Sequence, residues 1–92
     1  MIVGFRHKGL ETLYLTGSSR GVQASHPSKL VRVLAALDAA SSPADLSHPG
    51  YKLHPLKGRL KDHWSIWVNG NWRVTFRFVG HDVELVDYQD YH

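Results

Sequence analysis

The spacing of apolar residues changes period once along this chain, and that change constrains the fold more than any other feature. Up to residue 40 apolar residues recur at intervals of three and four, and from residue 51 they alternate. Helical stripes followed by half-apolar strands bury each other best as helices laid on one face of an antiparallel sheet. The fold class expected is therefore α+β, with two N-terminal helices packed on a mostly antiparallel sheet of four to five strands. The stretch Ser-Ser-Pro-Ala-Asp-Leu-Ser-His-Pro-Gly at 41–50 separates the two regimes. It reads as a connector inside one domain spanning 1–92, since two cores of half this size would each be too small.

Within that frame the elements read as follows. Residues 2–6 are a short first strand. Leu10, Leu13 and Tyr14 take helical spacing over 8–15, and Gly17 is a plausible stop. A longer helix runs from about 26 to 40, with Ser25 as N-cap and Pro27 in the first turn. Its stripe is Leu30, Val33, Leu34 and Leu37, with Ala40 extending it, and Lys29 and Arg32 fall off it. Ser42–Leu46 suggests one further turn by the same capping logic. Tyr51 and Leu53 then oppose Lys52 and His54, and Trp64, Ile66 and Val68 oppose His63, Ser65 and Trp67. Asn69-Gly70 signals a tight type I′ hairpin turn. The returning strand carries Trp72, Val74, Phe76 and Phe78 on one face and Arg73, Thr75 and Arg77 on the other. Gly80-His81-Asp82 turns into a last strand from Val83 to about Tyr88. With the helices on the Trp72–Phe78 face, the opposite face is left polar and basic.

Charge is distributed unevenly. Residues 48–79 hold Lys52, Lys57, Arg59, Lys61, Arg73 and Arg77 against Asp62 alone, whereas 80–92 hold four acids and no Lys or Arg. A basic block of this kind suits a polyanion through phosphate attraction and counterion release, and suits a solvated sheet face equally well. The chain has no cysteine, which removes disulfide frameworks, thiolate metal sites and cysteine nucleophiles. A reducing cytoplasm is the simplest address. No apolar run approaches the ~20 residues of a bilayer span, so no membrane partner is expected.

Seven histidines raise the question of metal. There is no H-E-x-x-H, no histidine pair at i, i+4 and no cysteine partner, so no metal or other cofactor is implied. Neither a G-x-S-x-G elbow nor a phosphate-binding glycine loop is present. Two segments carry chemistry instead. Tyr51-Lys52-Leu53-His54-Pro55-Leu56-Lys57-Gly58 sets a histidine between lysines, with Lys52 and His54 on one side of a strand. The chain ends Asp87-Tyr88-Gln89-Asp90-Tyr91-His92, a carboxylate, a phenol and an imidazole. Together with Arg73 these suit metal-free RNA cleavage. RNA supplies its own 2′-OH nucleophile, histidine moves protons near neutral pH, and lysine and arginine hold phosphorane charge. Trp67 alternates onto the basic face, where it could stack on a base or meet a protein. A polar tail and a surface histidine remain the plainer reading of the same residues.

The runs Tyr51–Gly58, Trp64-Ser65-Ile66, Asn71–Phe76 and Asp90-Tyr91-His92, with the opening Met1-Ile2…Phe5…His7-Lys8-Gly9-Leu10, resemble the HigB toxins of the RelE/ParE superfamily of toxin–antitoxin modules. The resemblance covers essentially the whole chain. It implies two helices on a mixed, mostly antiparallel sheet. It implies an endoribonuclease that cuts mRNA in the 30S A site and halts translation without metal. It also implies inactivation by a HigA-like helix-turn-helix antitoxin, with operator DNA bound only through that complex. The matching positions are His54, Asp90, Tyr91 and His92 for catalysis, with Lys57 and Arg73 for phosphate; Lys52 and Trp67 complete the candidate RNA contacts. Asp87-Tyr88 just upstream is an alternative register for the terminal pair. A gyrase poison of the ParE kind, or a non-catalytic binding module, is the alternative on the same fold.

Overall fold

The structure is a computed structural model and describes residues 1–90. Helix α1 spans Lys8–Thr16 and α2 spans Pro27–Ala39. They lie on an antiparallel sheet of four strands in the order β1 (His54–Pro55), β2 (His63–Asn69), β3 (Trp72–Val79) and β4 (Asp82–Asp90). The core lies between the layers, where Leu10 and Leu13 of α1 and Leu30, Val33, Leu34 and Leu37 of α2 meet Ile66, Val74, Phe76, Val83 and Val86. Burial of those aliphatic side chains is the main force joining the layers. Trp64, Trp72 and Phe78 pack at its margin, half-buried. Among the described residues no helix is long and apolar enough to cross a membrane.

Helix α1 starts on His7, whose Nδ1 accepts the Leu10 N–H at 3.0 Å, and stops at Gly17, held at φ 79°. A glycine there adopts the left-handed geometry without a Cβ clash. Gly9 and Gly21 touch backbone to backbone, so a Cβ on Gly9 would lie 2.4 Å from the Gly21 carbonyl oxygen. Helix α2 begins one residue later than its capping chemistry suggests. His26, not Ser25, occupies the N-cap, and its side chain makes no capping bond. The ring is buried instead, with Nδ1 against the Tyr88 hydroxyl. A tertiary contact has overridden local preference.

Three other expectations also change. Residues 2–6 do not form a continuous strand. Ile2 and Phe5 make isolated parallel bridges to Val83 and Val86. The ladder breaks where β4 inserts an extra residue opposite β3, with Leu85 at φ 56°, because a bulge leaves one residue unpaired and bends the strand. The residues before His54 are not strand either. Pro49–Tyr51 is a single 3-10 turn, Lys52 takes the left-handed conformation at φ 47°, and β1 is only two residues long. The hairpin turn centres on Gly70-Asn71, since Asn69 pairs with Trp72. Gly70 alone has positive φ, at 54°, which fits type II′ rather than type I′. The further turn expected at Ser42–Leu46 forms over Pro43–Leu46 and buries Leu46.

Candidate functional site

The face of the sheet away from the helices builds the site. Antiparallel register aligns His54 with Ser65, Ser65 with Thr75 and Thr75 with Asp87; the next row aligns Trp67 with Arg73 and Arg73 with Gln89. Alternate residues on one strand share a face, so both rows project together. Ser65 and Thr75 are only 1% exposed. The chain after β1 folds over them, tied down by the Leu56 N–H donating to the His63 carbonyl at 2.9 Å. This face is therefore a floored cleft rather than an open polar surface.

Lys52, His54, Trp67, Gly70 and Arg73 line the cleft, of about 490 Å³. A tight recess behind it is enclosed by His54, Leu56, Ser65, Arg73 and Thr75. Two buried polar atoms there, Arg73 Nη1 and Ser65 Oγ, have no hydrogen-bond partner among the described residues. Leaving such donors unmatched costs about 1–3 kcal/mol each, more for a charged group. The recess is about 10 Å³, room for a single water that could bridge them.

His54 is exposed, with Nδ1 3.2 Å from the Lys52 carbonyl oxygen. A carbonyl can only accept, so Nδ1 carries the proton and the neutral ring keeps its lone pair on Nε2. That tautomer suits a general base. Trp67 is fixed by Nε1–H donating to the Gly70 carbonyl at 2.9 Å.

The remaining expected residues are placed less evenly. Lys57 lies outside this cleft. With Arg6, Arg59, Leu60 and Gln89 it lines a neighbouring hollow of about 480 Å³, adjacent through the Arg73–Gln89 pairing. Asp90 pairs with Trp72 at the end of β4, so strand alternation puts it on the side shared by Trp72 and Tyr88. Tyr91 and His92 lie outside the described residues. The upstream pair divides between the faces. Asp87 is on the cleft side, accepting from Tyr88 N–H at 2.9 Å and from Gln89 Nε2 at 3.2 Å. Tyr88 is buried on the helix side. Burial raises its hydroxyl pKa, as does the charge of Asp90, while a hydrogen bond to the Gln23 backbone pulls the other way. The hydroxyl therefore stays protonated, hydrogen-bonded to His26 Nδ1.

The sequence does not single out Arg6 or Gln89, it leaves Arg59 as a ribosome-facing or simply solvated charge, and it puts Lys29 and Arg32 merely off the α2 stripe. Alternation along β4 would have found Gln89, opposite Arg73. Among the described residues no three histidines, aspartates or glutamates gather in a way that could hold a metal ion.

A family model described as the RelE-like toxin of the type II toxin–antitoxin system HigB matches residues 3–92. A Proteus vulgaris protein named Endoribonuclease HigB is 44% identical over 92 residues, covering the full length of both chains. Toxin HigB-1 of Vibrio cholerae serotype O1 is 37% identical over 94 residues, covering all of this chain and 98% of that one.

Proposed function

Since the chain belongs to the HigB-like toxin family of type II toxin–antitoxin systems, we propose that it is an endoribonuclease that cuts mRNA in the ribosomal A site. RNA brings its own nucleophile, so the protein has three tasks. It removes the 2′-OH proton, neutralises charge on the phosphorane and protonates the departing 5′ oxygen. His54 Nε2 takes the 2′ proton as the oxygen attacks phosphorus. The P–O5′ bond breaks, and Tyr91 or His92 returns a proton to the 5′ oxygen, with Asp90, on the helix side of β4, left the role of orienting the imidazole. The products are a 2′,3′-cyclic phosphate and a 5′-hydroxyl, and no metal takes part. Arg73 and Lys52 hold the scissile phosphate, Lys57 the strand beyond it, and Trp67 a base.

The observation that supports this reading most is the cleft that gathers His54 with Lys52, Arg73 and Trp67, an imidazole with two cations and an indole. An arginine there can grip a phosphate through two donors. A HigA-like helix-turn-helix antitoxin holds the enzyme inactive, operator DNA is bound only through that complex, and the site of action is the cytoplasm.

RNA-end mapping on ribosomes programmed with a defined message tests the proposal. Cuts inside the A-site codon with cyclic phosphate ends are expected, and His54→Ala should lose ~10²–10⁴ of the rate. Intact message, or arrest of DNA replication instead of translation in expressing cells, would overturn it.

A further inference from the structure

Two cations from separate parts of the chain lie over one indole. Lys29 Nζ, from α2, is 4.4 Å from the Trp67 ring centroid, and Lys52 Nζ is 4.3 Å from it. Arg32 follows Lys29 at i, i+3 on the same helix face. Lys29 and Arg32, with His48, Gly50 and Tyr51, line a hollow of about 410 Å³. Among the described residues none of Lys29, Arg32 and Lys52 is ion-paired with a carboxylate. Burial lowers the pKa of Lys29, and repulsion from Arg32 and then Lys52 lowers it further. Cations gathered without an internal counter-charge are stabilised by an external anion.

We infer that Trp67, Lys29 and Arg32 form a subsite for the nucleotide adjoining the cut linkage, with its base on the indole and its phosphate between the two α2 cations. The inference rests on the RNA-cleavage reading above and adds the second helix to the site. An aromatic surface interleaved with cations is the chemistry that binds single-stranded nucleic acid. An acidic peptide would use the charges but not the ring. The position also fits. Trp67 pairs with Arg73 on the neighbouring strand, strands lie about 4.8 Å apart, and both residues line the cleft that holds His54. A base beside Trp67 is thus one step along the strand from a phosphate at Arg73. When the base arrives, the Lys29 ammonium leaves the ring for the adjoining phosphate and that of Lys52 for the scissile one, and their mutual repulsion is relieved. The stacking is sequence-tolerant, because every base has a π-face.

The test uses A-site-programmed ribosomes and messages altered at one nucleotide, abasic or with a neutral methylphosphonate linkage, placed immediately 5′ or 3′ of the cut. The proteins are wild type, Trp67→Ala, Trp67→Phe and the double variant Lys29→Gln/Arg32→Gln. Trp67→Ala should raise KM roughly 5- to 150-fold, the usual worth of one base–aromatic stack, with kcat little changed. Trp67→Phe, which keeps a ring, should recover most of that loss. On one side of the cut the abasic message should slow the wild type equally and add nothing to Trp67→Ala. The methylphosphonate should behave likewise with the double variant. Unchanged KM in the variants overturns the inference. So do additive penalties, which would mean that these residues touch ribosomal RNA or an acidic protein instead. In both cases cutting that depends on His54 leaves the RNA-cleavage reading standing. A wild-type protein that cuts no message overturns that reading, and the subsite with it.

Discussion

Replacing Tyr88 by phenylalanine removes one oxygen atom from the core while keeping the ring stacked on Trp72, whose centroid is 4.5 Å away at 26°. The lost hydroxyl is the partner of His26 Nδ1. His26 is itself 4% exposed, so water cannot easily replace it. The change therefore removes a hydrogen bond and strands a buried ring nitrogen, about 1–3 kcal/mol in all. For a chain of this size each kcal/mol moves Tm by roughly 4–8 °C, which gives a fall of roughly 5–20 °C. Cutting the contact from the other side, His26→Leu, should also destabilise. The double variant should cost less than the sum of the two, with a coupling of about 0.5–3 kcal/mol, because replacing both polar partners strands neither. Urea unfolding of the four proteins measures this. Strict additivity would refute the claim that the pair fastens β4 to the start of α2. The same contact sets a sign for alkaline pH. With the folded pKa of Tyr88 raised chiefly by burial, its contribution is complete below the ordinary value near 10. It is lost as pH rises through the raised value. Tyr88→Phe should lack that part of the alkaline decline. Tyr14, raised mainly by its hydrogen bond to Asp38, keeps its own part.

Two further perturbations probe the frame that carries the cleft. Gly9→Ala sets a helix-propensity gain of about 1 kcal/mol against overlap with the Gly21 backbone at 2.4 Å, which costs about 1–3 kcal/mol when the surroundings must shift. A net loss of up to about 2 kcal/mol is expected, read from the denaturant midpoint, and a more stable variant would contradict the contact. Asp38 accepts from the Ile2 N–H and the Tyr14 hydroxyl, each at 2.9 Å, and the two bonds, Ile2 first, lower its pKa. A lowered folded pKa contributes stability above the unfolded value, near 4, and loses it as pH falls through the folded one. Asp38→Asn should therefore flatten the acid limb of the stability profile, and an unaltered limb would remove Asp38 from the account.

What could be read from the sequence follows from how far each feature reaches along the chain. The α2 stripe and the Trp72–Phe78 alternation depend on period alone, and both are buried as that period requires. The gathering of Trp67 and Arg73 on one face also followed, because alternation and a two-residue turn are local facts. Features set by distant partners did not follow. Ser25 has the better capping side chain, yet the helix starts on His26, because that ring meets Tyr88 across 62 positions of sequence. The strand expected at residues 2–6 is cut to two bridges by a bulge at Leu85, on a different element. Lys29 reads merely as off the α2 stripe until that helix is docked on the sheet, and only the docking sets its ammonium over Trp67. The choice between Asp87 and Asp90 has the same origin. Strand alternation places Asp87 beside Thr75 on the cleft face and Asp90 beside Trp72, a distinction of one pleat that composition cannot carry. The last two described turns of this logic meet at Tyr88. It is buried on one side of β4 while its neighbours Asp87 and Gln89 line the other. The contact that anchors the strand to α2 is thus also the contact that fixes which side chains face the cleft, so a register slip there would exchange the two sets. Core burial and the side chains of the cleft therefore meet at Tyr88, and the Tyr88–His26 cycle above measures the hydrogen bond made there.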